Sequence, residues 1–321
     1  MARGGNLTLK QLQCLIAVEQ TTHFRRAAEM CGITQPSLSA QIGNLEESLG
    51  VKLVERSRSG VSMTPAGREI ALRARRIADE TQGIADFAAE AKHGLSGTFR
   101  LGSKPTLGPY LLPHVVSALH RQYKDLNLYI RESEPRNLEF ELAGGVHDLV
   151  LTQLPATNAE HVEAPLFQEP LYLAVAVDHP LAKEKSIKVD DLAGLDILSL
   201  NPNFHLHDRV HSLCEDFGAR LVGDYEGTSL DAIRQMVGMG MGATFLPALY
   251  AHSEISARSE VAVRPLRGRT VTRTIGLIWR KSAGRAEAYK RFADIIRDVA
   301  EKRFKDVRVL GRSADRKKRS K

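Results

Sequence analysis

Between residues 34 and 49 apolar side chains recur at Leu38, Ile42, Leu45 and Leu49, spaced four, three and four apart. That spacing puts them on one face of a helix. The opposite face carries Pro36, Ala40, Gly43 and Asn44, with Ser37 and Ser39 at its margins, so a flat or grooved partner can approach closely. Thr34 is placed as the N-cap, and Pro36 falls in the first turn, where amides have no intrahelical partner. A shorter helix near 24–31 supplies Ala27, Ala28 and Cys31 to a shared interior, and Gly32 permits the turn between the two. A helix over 8–21 precedes them, with Leu9, Leu12, Leu15 and Ile16 as its buried side. Two helices joined this way form a helix-turn-helix, whose second helix enters the DNA major groove.

The pattern then changes period. Residues 51–63 read as short strands around a Ser-Gly turn, a wing that carries Arg56 and Arg58 toward phosphates or the minor groove. Thr64-Pro65 is a helix start, a capping hydroxyl followed by proline at the first helical position. The helix is predicted to run to about residue 93. Ile70, Ala74, Ile77, Thr81, Ile84, Ala88, Ala91 and Leu95 alternate four and three apart along it, a heptad seam suited to pairing with a second copy. Residues 94–97 are a hinge.

Beyond the hinge, strands are predicted near 99–102, 126–132, 148–152, 171–177, 196–200, 223–226, 243–245, 261–265 and 274–280. Helices are predicted near 110–122, 137–143, 206–217, 230–239 and 286–303. This alternation is an α/β domain with crossover connections. The last helix is expected to return to the first lobe, so that two lobes (97–165 with 272–304, and 166–271) enclose a cleft where a small ligand binds.

Charge sharpens the division. The net charge of +7 resolves into +4 over residues 1–75, +8 over 302–321 and −5 in between. Positive charge at both ends around a mildly acidic body suits phosphate contact by the N-terminal domain. Residues 305–321 read as a disordered basic tail. No stretch of about 18 apolar residues predicts a membrane span, and no signal-peptide core precedes Leu7, so a cytoplasmic location is expected. Three cysteines, Cys14, Cys31 and Cys214, argue against a disulfide framework, and the first two read as buried core residues. No nucleophile elbow, phosphate loop or paired-carboxylate motif is present, so no enzyme and no cofactor is predicted.

The run from Leu7 to Ile70 resembles the winged helix-turn-helix of LysR-type transcriptional regulators. It does so through L-K-Q-L-Q-C-L-I-A-V-E-Q (9–20), F-R-R-A-A (24–28), T-Q-P-S-L-S-A-Q-I-G-N-L-E-E-S-L-G-V-K-L-V-E-R (34–56) and T-P-A-G (64–67). The resemblance implies a two-lobed effector domain similar to periplasmic binding proteins, a homodimer through the linker helix and a homotetramer. Double-stranded promoter DNA is the implied partner. On it Thr34, Gln35, Pro36, Ser37, Ser39 and Gln41 would meet the groove, and Arg25, Arg26, Arg56 and Arg58 the phosphates.

The C-terminal half resembles the peroxide-responsive OxyR branch, through K-P-T-L-G-P-Y-L-L-P-H (104–114), H-D-R-V-H-S-L-C-E-D-F-G-A (207–219), T-S-L-D-A-I-R-Q-M-V (228–237) and R-T-I-G-L-I-W-R (273–280). In that branch a reactive cysteine lies just before a helix and a resolving cysteine inside it. Cys214 falls at the resolving position; His205 occupies the reactive one. Imidazole forms neither sulfenic acid nor a disulfide, so the intramolecular disulfide switch is not expected here.

Two inputs remain open. Cys214 would respond to an oxidant if neighbouring imidazolium favoured its thiolate; otherwise it is an inert core thiol. Alternatively a reversible metabolite or anion would bind a pocket built from Ser103, Lys104, Thr106, Gln153, His205, Asp208, Thr228 and Ser229. A metal is the other reversible ligand for this second input, because His207, His211 and Cys214 recur at i, i+4 and i+7 on one helix flank; the bland counterpart is a flank with chance histidines.

Overall fold

The computed structural model describes residues 7–57, 60–93, 95–256 and 259–311, in two compact units. One comprises Met1–Lys92 with Ser282–Arg285, the other His93–Lys281 with Ala286–Lys321. Arg58 lies outside the described residues, as do residues 312–321 of the expected basic tail.

In the first unit three helices, α1 (Leu9–Thr21), α2 (Phe24–Met30) and α3 (Gln35–Leu49), close around Leu15, Val18, Ala27, Leu38, Ile42 and Leu45, all buried. Thr8 and Gln11 form a reciprocal capping box that fixes the start of α1. Thr34 caps α3 through its hydroxyl, which accepts from the Ser37 amide, and Gly50 ends it at φ +69°. The wing is the antiparallel pair β1 (Val54–Ser57) and β2 (Gly60–Met63).

Glu46 ties α3 to the wing. Its carboxylate accepts from the Leu53 amide at 2.9 Å, the Val54 amide at 3.1 Å and Lys52 Nζ at 2.6 Å. Burial works against this charge, but the hydrogen bonds from Lys52 and the two amides outweigh it and hold the carboxyl below its ordinary value of 4.5. A folded-state value below the unfolded one stabilises at pH above the unfolded value. The contribution is lost as pH falls through the folded value. Glu46→Ala strands two buried amides, so a loss of about 1–3 kcal/mol is expected in urea unfolding at pH 7. That loss should shrink as pH is lowered below the ordinary glutamate range.

Helix α4 (Pro65–His93) is 29 residues long. Its predicted seam divides. Ala74 is buried within its own unit, Ile70 packs against that core, and Leu95, beyond the helix end, is buried in the second unit. The exposed part is Ile77 (46%), Thr81, Ile84 (69%) and Ala88, about three turns of apolar and small side chains.

The second unit is built on one curled sheet of eight strands. Its main order is β10 (Val261–Arg264), β6 (His161–Ala176), β11 (Thr272–Arg280), β5 (Leu149–Leu154), β3 (Gly97–Ser103) and β4 (Leu126–Glu132), with β9 (Thr244–Pro247) and β12 (Arg308–Val309) also on β6. The 16-residue β6 is shared by both lobes: its first half pairs with β11, its second with β9 and β10. A separate parallel pair, β7 (Asp196–Leu200) and β8 (Arg220–Gly227), completes the second lobe. Helices α5 (Gly108–Gln122) and α6 (Pro135–Ala143) belong to the first lobe, and α7 (His205–Phe217), α8 (Leu230–Gly238) and α9 (Ala248–Glu254) to the second. Helix α10 (Ala286–Arg303) packs on β3, where Phe292 stacks on Phe99 and Tyr289 meets it edge-on.

Two expectations need correction. The strand predicted over 171–177 is twice as long, beginning at His161. The segment read as a free tail from 305 instead pairs with β6 through Arg308 and Val309, and the Leu310 amide donates to the Leu166 carbonyl. Satisfying those backbone groups in the ladder outweighs the polar composition of the segment.

Candidate DNA-binding face and effector cleft

The exposed face of α3 is the one the sequence marked. Thr34, Gln35, Pro36 and Ser37 are exposed and Ser39 and Gln41 half-buried, while a Cβ on Gly43 would meet nothing within 4 Å. Arg25 and Arg26 are exposed on α2, Arg25 against Glu29 at 3.3 Å. Arg56 lies in β1 opposite Val61. A small-residue surface over a fixed apolar base is what close approach to a groove requires.

In the second unit, Ser103, Lys104 and Thr106 follow β3 and are all buried. Arg273 on β11, two strands over from β3, reaches Thr106 through both terminal nitrogens, to its hydroxyl at 3.2 Å and its carbonyl at 3.0 Å. Its Nε donates to Glu169 at 2.7 Å, and both partners are essentially fully buried. Across the cleft, His205 opens α7, and its Nδ1 lies 2.7 Å from Lys104 Nζ. Burial, and then the nearby Arg273 charge, hold the Lys104 ammonium well below the ordinary lysine value; the Glu139 and Asp208 carboxylates pull the other way.

The predicted pocket therefore assembles in part. Ser103, Lys104, Thr106 and His205 come together, with Asp208 exposed one turn into α7. Ser229 is occupied in capping α8, accepting from the Ala232 amide at 3.1 Å. Thr228 is exposed and Gln153 half-buried, and neither shares a hydrogen bond with the others. Arg273 and Glu169 escaped sequence reasoning. The signal was a charge set against an apolar run in each strand, Glu169 before 171–176 and Arg273 before 275–279, which in a buried sheet implies a partner.

The metal and thiolate expectations are corrected by position. Among the described residues no three His, Cys, Asp or Glu side chains stand together as a metal site. His207 is spent on the Leu200 carbonyl at 2.8 Å, His211 faces Glu215, and Cys214 turns into the core of the second lobe. Burial, and next the Glu215 charge, push the Cys214 thiol up to about 11. A buried thiol held this way stays protonated at neutral pH and is a poor nucleophile. In the native protein at pH 7, iodoacetamide should label the partly exposed Cys31 first and leave buried Cys14 and Cys214 unmodified until unfolding. Peptide mapping against time checks this.

Comparison with known proteins follows this division. Residues 9–68 match the bacterial regulatory helix-turn-helix protein family of lysR type, and residues 92–301 match the LysR substrate binding domain. The chain belongs to the LysR family, in its OxyR branch. It is 36% identical over 301 residues to the DNA-binding transcriptional dual regulator OxyR of Escherichia coli K12, covering 94% of this chain and 98% of that one. A probable hydrogen peroxide-inducible genes activator of Streptomyces viridosporus is 34% identical over 297 residues, covering 91% and 94%. Among solved structures, a full-length OxyR from Pseudomonas aeruginosa, carrying a cysteine-to-aspartate substitution, superposes with a TM-score of 0.81 at 34% identity, covering 96% of this chain and 99% of that one. This LysR-family chain is a DNA-binding transcriptional regulator, not an enzyme. Among the described residues no helix is long and apolar enough to cross a membrane.

Proposed function

We propose that this OxyR-like regulator binds promoter DNA with paired α3 helices and that an oxidative-stress signal reaching the effector cleft changes how those helices are spaced. The observation that carries this is the exposed, small-residue face of α3 at the head of a chain that matches OxyR over 94% of its length. Relatives are named for hydrogen peroxide-inducible genes. Gln35, Ser37, Ser39 and Gln41 are assigned to base edges, and Arg25, Arg26, Arg56 and Arg58 to phosphates. Dimerisation is assigned to the exposed Ile77 and Ile84 of α4, and two dimers make a tetramer that works in the cytoplasm. The signal acts as a rigid-body switch, in which lobe closure is passed to the DNA-binding heads.

Footprinting on the chain's own promoter region, with and without peroxide, tests this. A protected site resistant to random competitor is expected, and an altered footprint in peroxide. Ser37→Glu places a carboxylate on the exposed α3 face and should weaken that site by about 1–3 kcal/mol, roughly ten- to a hundredfold, with melting unchanged. Equal binding to promoter and random fragments would remove the proposal.

A further inference from the structure

Lys104 stands immediately after β3 with 3% of its surface exposed. Among the described residues its Nζ has one hydrogen-bond partner, the Nδ1 of His205 at 2.7 Å, and no carboxylate within ion-pair distance. Of the two carboxylates that favour its charge, Glu139 is engaged by the Thr157 amide and hydroxyl, and Asp208 is exposed on α7. A buried ammonium without a paired anion is costly, and the group sheds its proton instead. The two nitrogens in contact do not both carry charge. What remains is an amine with a lone pair, touching an imidazole that both takes and gives a proton near neutral pH. A desolvated amine of this kind is the usual nucleophile for carbonyl carbon.

We propose that Lys104 is a covalent carbonyl-binding site, at which Nζ condenses with a small aldehyde to an imine while His205 moves the protons. The Nζ lone pair forms the N–C bond, and the carbonyl π pair moves to oxygen. His205 takes a proton from nitrogen and delivers it to that oxygen, giving the carbinolamine. It then takes the second nitrogen proton and gives it to the hydroxyl; the C–O bond breaks, water leaves, and the C=N bond closes. Amine plus aldehyde becomes imine plus water, with no change of oxidation state. The aldehyde must be small, because it enters beside the half-buried His205 and Nζ itself is almost wholly covered. Aldehydes are also what oxidants release from unsaturated lipids, which matches the class of signal assigned to the cleft. The imine leaves Nζ with no N–H at the Lys104–His205 contact that joins β3 to α7. The link to gene control rests on the proposed cleft input; the imine itself does not.

The test uses the full-length protein and propanal at pH 7, with borohydride to fix any imine and peptide mass mapping to locate it. Lys104 should carry the propyl group at least ~10-fold faster than exposed Lys183 and Lys185. His205→Phe should slow that labelling selectively. Modification of Lys183 and Lys185 with Lys104 untouched overturns the site. Unmodified wild-type Lys104 beside a specific footprint sinks the imine and spares the regulator. Labelled Lys104 with an unchanged footprint upholds the imine and removes its coupling to DNA.

Discussion

Glu169→Gln should cost the effector domain about 3–5 kcal/mol, the range for breaking a fully buried ion pair from one side. Glu169 and Arg273 face each other across the β6–β11 ladder, with side chains 0% and 1% exposed. Their 2.7 Å contact and the bond from the Leu249 amide use different carboxylate oxygens, and glutamine keeps a single oxygen for the two donors. Glu169 also accepts from the Leu249 amide at 2.8 Å, which anchors the start of α9. Arg273 holds Thr106 from the other side. With the carboxylate gone, a guanidinium charge stays buried without its counter-ion, and desolvation is no longer offset. Urea unfolding should show a lower midpoint at unchanged slope. The double variant Glu169→Gln, Arg273→Met should recover part of the loss, because it removes the orphaned charge. A single-variant loss under about 1 kcal/mol would show that water or a rearranged neighbour takes the carboxylate's place.

The same pair shows where sequence reasoning stops. The DNA-binding unit was legible because its signals are local: a 3.6-residue period in α3, a capping threonine at each of α3 and α4, and a glycine in the turn before α3. Strand β6 was half hidden because Pro165 and Pro170 interrupt its pattern. The fold accommodates Pro165 opposite Gly276, beside the register shift after Ile275, and proline is tolerated at such irregularities. Helix α9 has seven residues, too few to display a period. The cleft was legible as a set of positions after strand ends. The burial of Lys104 was not, because it is set by α7 and β11 arriving from a hundred or more residues away. The His207, His211 and Cys214 flank misled for the converse reason. Helical spacing placed the three side by side, and only the packing of Cys214 into the second lobe separates them.

Gly67→Ala should disable the regulator through its DNA-binding unit alone. In an open helix this substitution stabilises by about 1 kcal/mol, because glycine is the poorer helix former. Here the sign reverses. A Cβ at residue 67 would lie 2.0 Å from the Leu53 carbonyl oxygen and 2.9 Å from its carbon. Those are backbone atoms, and they are fixed. The Leu53 carbonyl accepts from the Thr64 amide at 3.0 Å, and the Leu53 amide donates to Glu46 at 2.9 Å. Gly67 is itself held, its amide donating to the Thr64 hydroxyl at 2.9 Å. Relief requires either moving α4 off the wing or breaking the cap, so the cost should reach the top of the ~1–3 kcal/mol range for overpacking or exceed it. The wing and α3 meet through Glu46, so the disturbance reaches the face assigned to DNA. Promoter affinity should fall at least ~30-fold, the equilibrium equivalent of about 2 kcal/mol. Protection from amide exchange should drop across residues 9–74 and persist in the buried strands β3, β5 and β11. Exchange rising equally in both units would mean that the two unfold as one, and the loss of binding could no longer be assigned to the contact at Leu53.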